Sequence, residues 1–204
     1  MDCSKSKLQK QFYLCCLIVF FTRLPSAIAD NTVNNPLIRL DHQLFDTIYD
    51  ADHIGTVPHQ LVTGITHFGD PKAVMAISAL LMAYGSPEQK ETGKLLTTSF
   101  ALSGLSAWGA KQIINRRRPL DKLEKDTPAF PSGHTTLAFA TATIFSDRYP
   151  KLKIPFYCGA GLVAFSRIYL GRHYPLDTLA GSVVGTVSAH VVLKYRRPVL
   201  GWEF

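Results

Sequence analysis

Arg167, His173 and Asp177 lie close together in the stretch SRIYLGRHYPLD, residues 166–177, just after the apolar run IPFYCGAGLVAF. A carboxylate four residues after a histidine, at the start of a helix, can accept the ring N–H and fix the tautomer. In PSGH, residues 131–134, Ser132 is a natural N-cap for the helix that follows. Free backbone N–H groups, the positive end of the helix dipole, Gly133 and His134 then share one place, a ready anion site. In KQIINRRRP, residues 111–119, Lys111 and Arg118 are two helical turns apart and share a face if the helix runs that far. Pro119 biases Arg118 out of helical geometry, which lets its guanidinium turn inward. Taken singly, each residue reads as part of a solvated helix end. Taken jointly, they offer one lysine, two arginines, a helix N-terminus and two histidines. Cations with fork-shaped donors suit the equatorial oxygens of a transferring phosphoryl group. A neutral imidazole backed by a carboxylate can attack phosphorus, and a second imidazole can protonate the departing oxygen.

For these clusters to meet, the chain must fold its apolar blocks into helices whose ends converge. Of the 204 residues, 47% are aliphatic or aromatic and 18% charged, which is apolar for a single soluble domain of this length. The apolar residues fall in blocks separated by charged or Pro/Gly-rich connections, the pattern of helices in a membrane or buried on all sides. Lys5, Lys7 and Lys10 precede FYLCCLIVFF and LPSAIAD, an order that fits a secretory signal cleaved after Ala29. It also fits a first transmembrane helix with its basic end in the cytoplasm. Without residues 1–29 the formal charge falls from +7 to +4 and Cys158 is the one cysteine left, so an intramolecular disulfide is excluded there. Residues 30–64 form an amphipathic region around LDHQLFDTIYDADHIG. Asp70 and Pro71 then read as N-cap and first residue of a helix over KAVMAISALLMAYG. Beyond the connection SPEQKETGK come helices over LLTTSFALSGLSAWGAKQII, HTTLAFATATIFS, IPFYCGAGLVAFSRIYL and LDTLAGSVVGTVSAHVVLKYRRP. The expected fold is therefore all-α, a compact bundle of five to six membrane-spanning helices, although their uninterrupted apolar cores fall short of the roughly 20 residues of a full span. Threading them alternately across a bilayer with the N-terminus inside puts SPEQKETGK, DRYPKLK and KYRRP in the cytoplasm, as the positive-inside tendency prefers. All three reactive stretches then share the opposite face.

KQIINRRRP, PSGH and SRIYLGRHYPLD resemble the three-part signature of the type 2 phosphatidic acid phosphatase family, which also includes bacterial acid phosphatases and vanadium haloperoxidases. The resemblance matches residue by residue over the three motifs and implies a phosphatase domain over residues 65–196. It implies that His173 is the nucleophile that becomes a phosphohistidine, Asp177 its orienting partner and His134 the general acid. Lys111, Arg118, Ser132, Gly133 and Arg167 would hold the phosphate. No metal and no other cofactor is implied, and the sequence has no paired metal-ligand spacing of the usual kind.

The resulting expectation is a phosphatase acting on a phosphorylated membrane lipid, in the cell membrane (the inner membrane of a Gram-negative host), with its site facing the periplasm or exterior. A soluble periplasmic acid phosphatase acting on small phosphate esters is the alternative. A haloperoxidase is disfavoured by chain length, and a mere phosphate binder has no need of two histidines. Nucleic acid is not an expected partner, because the basic residues sit at helix ends without an aromatic-interleaved groove, and no obligate protein partner is evident. Arg116 and Arg117 are read as electrostatic guides or solvated loop residues, and Arg172 as a surface residue. His67 reads as a capping or packing residue near the outer mouth and His190 as an interfacial one. Tyr169 and Tyr174 are read as site-lining or interface anchors.

Overall fold

The computed structural model describes residues 35–49, 56–120 and 127–201. The leader reading of residues 1–29 lies outside them, as does the middle of the polar loop between Leu120 and Phe130. The described residues form eight α-helices and no strand: α1 (Pro36–Ile48), α2 (Val57–Thr66), α3 (Pro71–Tyr84), α4 (Pro87–Ile113), α5 (Gly133–Arg148), α6 (Lys153–Tyr169), α7 (Pro175–Lys194) and α8 (Arg196–Leu200). The expected all-α bundle is observed. The five helices read after the leader are α3 to α7, and α1 falls in the amphipathic region.

Capping chemistry sets most helix starts. The Asn35 side chain accepts from the Leu37 N–H ahead of Pro36, and Asp70 accepts from the Lys72 N–H ahead of Pro71, as expected for the latter pair. One helix start differs clearly from the sequence reading, and the last long helix ends at Lys194 instead of running through KYRRP. SPEQKETGK is not a connection but the opening turns of α4, where Ser86 and Gln89 close a capping box around Pro87.

α5 is the central helix, packed against α4, α6 and α7. Most of its buried positions are small, Ala138, Ala140 and Ala142 among them, so its neighbours approach closely. A Cβ on Gly185 of α7 would lie 2.1 Å from the Thr136 carbonyl oxygen, and one on Gly181 would lie 2.7 Å from that of Ser132. Gly181 and Gly185 thus form a small-xxx-small face against α5. Leu95, Leu96, Ile144, Ala189 and Val192 pack the end of the bundle where α4 begins and α7 ends. Beneath the opposite end, Ile38, Ile114, Phe130 and Ala180 form a second core that includes α1.

Large apolar side chains face outward on several helices. Leu105, Trp108 and Ile113 of α4 and Leu179 of α7 are more exposed than buried. Among the described residues α7, Pro175–Lys194, is the helix long and apolar enough to cross a membrane.

Candidate active site

α4 delivers the first cluster. The helix ends at Ile113, and the extended Ile114 starts a segment that runs to Pro119. Arg118 is therefore not on a continued helical face with Lys111. It is carried inward by extended chain, in keeping with its place before Pro119. The Arg118 Nε donates to the Thr127 carbonyl at 3.1 Å, and its terminal nitrogens donate to Thr127 Oγ1 at 3.0 Å and the Arg172 carbonyl at 3.1 Å. Lys111 Nζ donates to the neighbouring Pro128 carbonyl. Both cations thus bond to the 127–128 strip.

The turn after α6 delivers the second. Gly171 has φ +66°, a left-handed conformation that reverses the chain after Tyr169, and the His173 N–H then donates to the Arg167 carbonyl at 3.2 Å. The ring of His173 is 2% exposed. Arg118 lies 3.3 Å from Nε2, and a guanidinium only donates, so Nε2 carries the lone pair and Nδ1 the proton. Nδ1 faces Asp177 Oδ2 at 3.7 Å, too long for a formed hydrogen bond, and has no other partner. Burial pushes the His173 pKa down to about 4, with the Arg167 and Arg118 charges acting in the same direction and Asp177 opposing them. The imidazole is neutral at physiological pH.

The N-terminus of α5 delivers the third. Ser132 is fully buried, its Oγ accepts from the Thr135 hydroxyl at 3.0 Å, and its N–H donates to the Asp177 carbonyl at 2.9 Å. Gly133 and His134 follow as the first residues of α5. His134 is partly exposed, and its Nε2 lies 3.9 Å from Asp70 Oδ2. Gly69 permits this approach, because a Cβ there would meet the His134 carbonyl oxygen at 2.6 Å. Arg167 is 5% exposed and donates to Thr66 Oγ1 at 3.1 Å. The ends of α4, α5, α6 and α7 therefore bring Lys111, Arg118, Ser132, Gly133, His134, Arg167, His173 and Asp177 to one end of the bundle. Three cations, a helix N-terminus and two imidazoles there can bind an oxyanion and exchange a proton and a nucleophile with it.

Residues 92–199 match the model of the PAP2 superfamily. The chain belongs to that superfamily. Its sequence is 29% identical over 176 residues to a lipid A 1-phosphatase of Rhizobium etli, covering 72% of this chain and 75% of that one. It is 31% identical over 143 residues to a decaprenylphosphoryl-5-phosphoribose phosphatase of Mycobacterium tuberculosis, covering 66% of this chain and 80% of the other. The fold is that of a transmembrane PAP2-type phosphatidylglycerolphosphate phosphatase from Bacillus subtilis, with TM-score 0.69 at 23% identity over 93% of this chain and 98% of that one. This PAP2 chain is a phosphatase, a hydrolase of phosphate esters.

Several residues at this end of the bundle were read otherwise from the sequence or not singled out there. Arg116 is neither a guide nor a solvated loop residue: it is 1% exposed and forms ion pairs with Asp41 of α1 and with Asp177, the latter at 2.7 Å. Tyr174 lies in this network, with the Arg116 guanidinium 4.3 Å above its ring and His42 stacked on it at 4.6 Å. Arg117 is exposed, as its solvated reading had it. His67 is exposed in a 3-10 turn, and His190 is exposed with its ring on the Thr186 carbonyl. Thr66, Asp70 and Asp41 had no local signal of a site role. Each lies far along the chain from its partner, Asp41 by 75 residues from Arg116 and Thr66 by 101 from Arg167.

Proposed function

We propose that this PAP2 phosphatase removes phosphate from a monoester or diphosphate of a membrane lipid through a phosphohistidine intermediate, with its site at the extracytoplasmic face. The observation that carries the chemistry is the placement of the His173 ring, with Nε2 3.3 Å from the Arg118 guanidinium and Nδ1 3.7 Å from Asp177 Oδ2; it assigns the lone pair to Nε2 and the proton to Nδ1. Lys111, Arg118, Arg167 and the α5 N-terminus meet the phosphate oxygens. The Nε2 lone pair forms the P–N bond while the bond from phosphorus to the lipid oxygen breaks, and His134 gives that oxygen its proton. Water then attacks the phosphohistidine, with His134 taking the proton from it.

A lipid substrate is supported by the names of the relatives, one acting on lipid A and the other on a decaprenyl-linked sugar phosphate. The outward Leu105, Trp108 and Ile113 fit a hydrocarbon environment better than water. A groove of about 420 Å³, lined by Leu37, Leu40, Leu44, Leu176 and Leu179, borders Asp41. The orientation is supported by the far end of the bundle, which carries Lys151, Lys153, Lys194, Arg196 and Arg197. That end is held together by Arg148 with Glu91 and by Arg196 with Asp147, and its basic character suits the cytoplasmic side.

The test is to express the full chain, separate membranes from the soluble fraction, and assay each with a lipid phosphate in mixed micelles and with p-nitrophenyl phosphate. Activity in the membrane pellet, with the lipid phosphate preferred at least about tenfold in kcat/KM, is the expected result. Soluble activity that favours the small ester would overturn the lipid reading and leave a soluble exported acid phosphatase.

A further inference from the structure

We propose that Asp41 and Arg116 are positioning residues for the reacting imidazole, which together with Asp177 keep a net charge of −1 buried behind His173. The proposal rests on the reading of His173 as nucleophile. Arg116 is fully enclosed and divides its two terminal nitrogens between two carboxylates: one donates to Asp41 Oδ2, the other to Asp177 Oδ1 at 2.7 Å. Asp177 Oδ2 accepts from the Tyr174 N–H at 2.9 Å and is the oxygen that faces His173 Nδ1 at 3.7 Å. Asp41 Oδ1 accepts from the Leu176 N–H at 2.8 Å, so α1 holds the first turn of α7 directly as well as through Arg116. The plane of Tyr174, wedged between the guanidinium at 4.3 Å and the His42 ring at 4.6 Å, fixes the fork from one side.

One guanidinium between two carboxylates leaves one formal negative charge, and both carboxylates are shut away from water. That charge matters from the moment the P–N bond forms. When Nε2 gives its lone pair to phosphorus, the P–O bond to the leaving group breaks and His134 supplies its proton, while Nδ1 keeps its own. The ring thereby becomes a cation facing Asp177. Were Asp41 absent, Arg116 would be left with Asp177 alone and would neutralise the charge that the imidazolium needs. A fixed charge in a dry site acts strongly on such a step, because nothing has to reorganise as the ring charges. A purely structural role would tie α1 to the bundle and change only the fraction folded.

Asp41→Asn separates the two: its amide oxygen can still accept from the Leu176 N–H and keep α1 on α7, while its amide nitrogen cannot accept from Arg116 and the charge is gone. In the detergent-solubilised full chain, with rates normalised to the folded fraction from thermal melts, kcat should fall about ten- to a hundredfold. KM should stay within about threefold. The loss should be equal for an aryl and an alkyl phosphate, because it lies at the nucleophile and not at the leaving group. Asp41→Glu, which restores the charge, should recover most of it, and Arg116→Lys, which cannot fork to both carboxylates, should show the same kcat-selective loss. The proposal is overturned if Asp41→Asn turns over within about twofold of wild type, if Asn and Glu lose equally, or if only the alkyl ester suffers. It is equally overturned if Asp41→Asn and Arg116→Lys only reduce the folded fraction and what remains folded is fully active. His173→Ala, run alongside, distinguishes the layers. An active His173→Ala sinks the nucleophile reading itself, whereas an inactive one beside a fully active Asp41→Asn sinks this proposal alone.

Discussion

Burial sets the character of Arg167 and His173. Arg167 is enclosed between α6 and Thr66, so its guanidinium is aimed by packing as well as by charge. Arg167→Lys keeps the charge and loses the planar fork that can bind two oxygens at once. Turnover should fall about tenfold to a hundredfold, corresponding to a few kcal/mol of lost transition-state stabilisation; near-normal kcat in a steady-state assay would make Arg167 structural. His173 carries a stability consequence with a definite sign. Its pKa in the folded protein is about 4, below the roughly 6.5 of an unfolded chain. Between those values the unfolded chain binds a proton that the folded one does not, so stability rises with pH across the window. The contribution is complete above about pH 6.5 and is lost as the pH falls toward 4, amounting to about 2 kcal/mol by pH 5. Melting temperatures in detergent at pH 7.5 and 5 should therefore drop more for wild type than for His173→Gln. An equal drop in both would show that His173 is not buried in its neutral form.

Helix contacts transmit such local demands across the bundle. α7 carries Asp177 and α5 carries His134, and their register depends on Gly185 and Gly181 lying against the α5 backbone. Gly185→Ala forces a Cβ to within 2.1 Å of a main-chain oxygen, which cannot yield without separating the helices. Gly104→Ala on α4 meets nothing within 4 Å. The first should lower the melting temperature and kcat together; the second should leave kcat alone and stabilise by up to about 1 kcal/mol, the usual helical gain of Ala over Gly. If thermal melts and turnover do not separate the two variants, the close α5–α7 contact does not exist. Element boundaries also mark where sequence reasoning stopped short. The Ser86–Gln89 pair satisfies the capping-box pattern, yet its polar, charged surroundings read as a connection. In α4 the two-turn spacing of Lys111 and Arg118 suggested one helical face, whereas the helix stops at Ile113 and Arg118 is positioned by its bonds to Thr127 and Arg172.

At the scale of the whole molecule, the site is an agreement among four helix ends, and its three motifs were legible because each is a local cluster of polar or charged residues at the boundary of an apolar block. Asp41 and Thr66 were not legible: an aspartate on an amphipathic helix and a threonine before a turn are ordinary surface residues until the fold buries them against Arg116 and Arg167. Neither was Arg116, one of three consecutive arginines with nothing in its own stretch to say that it faces inward. The convergence leaves His173 with a buried carboxylate beside Nδ1, and His134 exposed enough to meet a leaving group, with Asp70 3.9 Å away. The division of labour between the two histidines is therefore the claim on which the chemistry stands. Its most direct test is rapid-quench trapping of acid-labile phosphoenzyme from wild type, His173→Ala and His134→Ala, using an aryl phosphate beside an alkyl phosphate. Wild type should trap phosphate from both and His173→Ala from neither. His134→Ala should trap it at a near-normal rate from the aryl ester, whose leaving group needs little protonation, and slowly from the alkyl one. Phosphate trapped on His173→Ala, or equal loss of both substrates in the two variants, would contradict it.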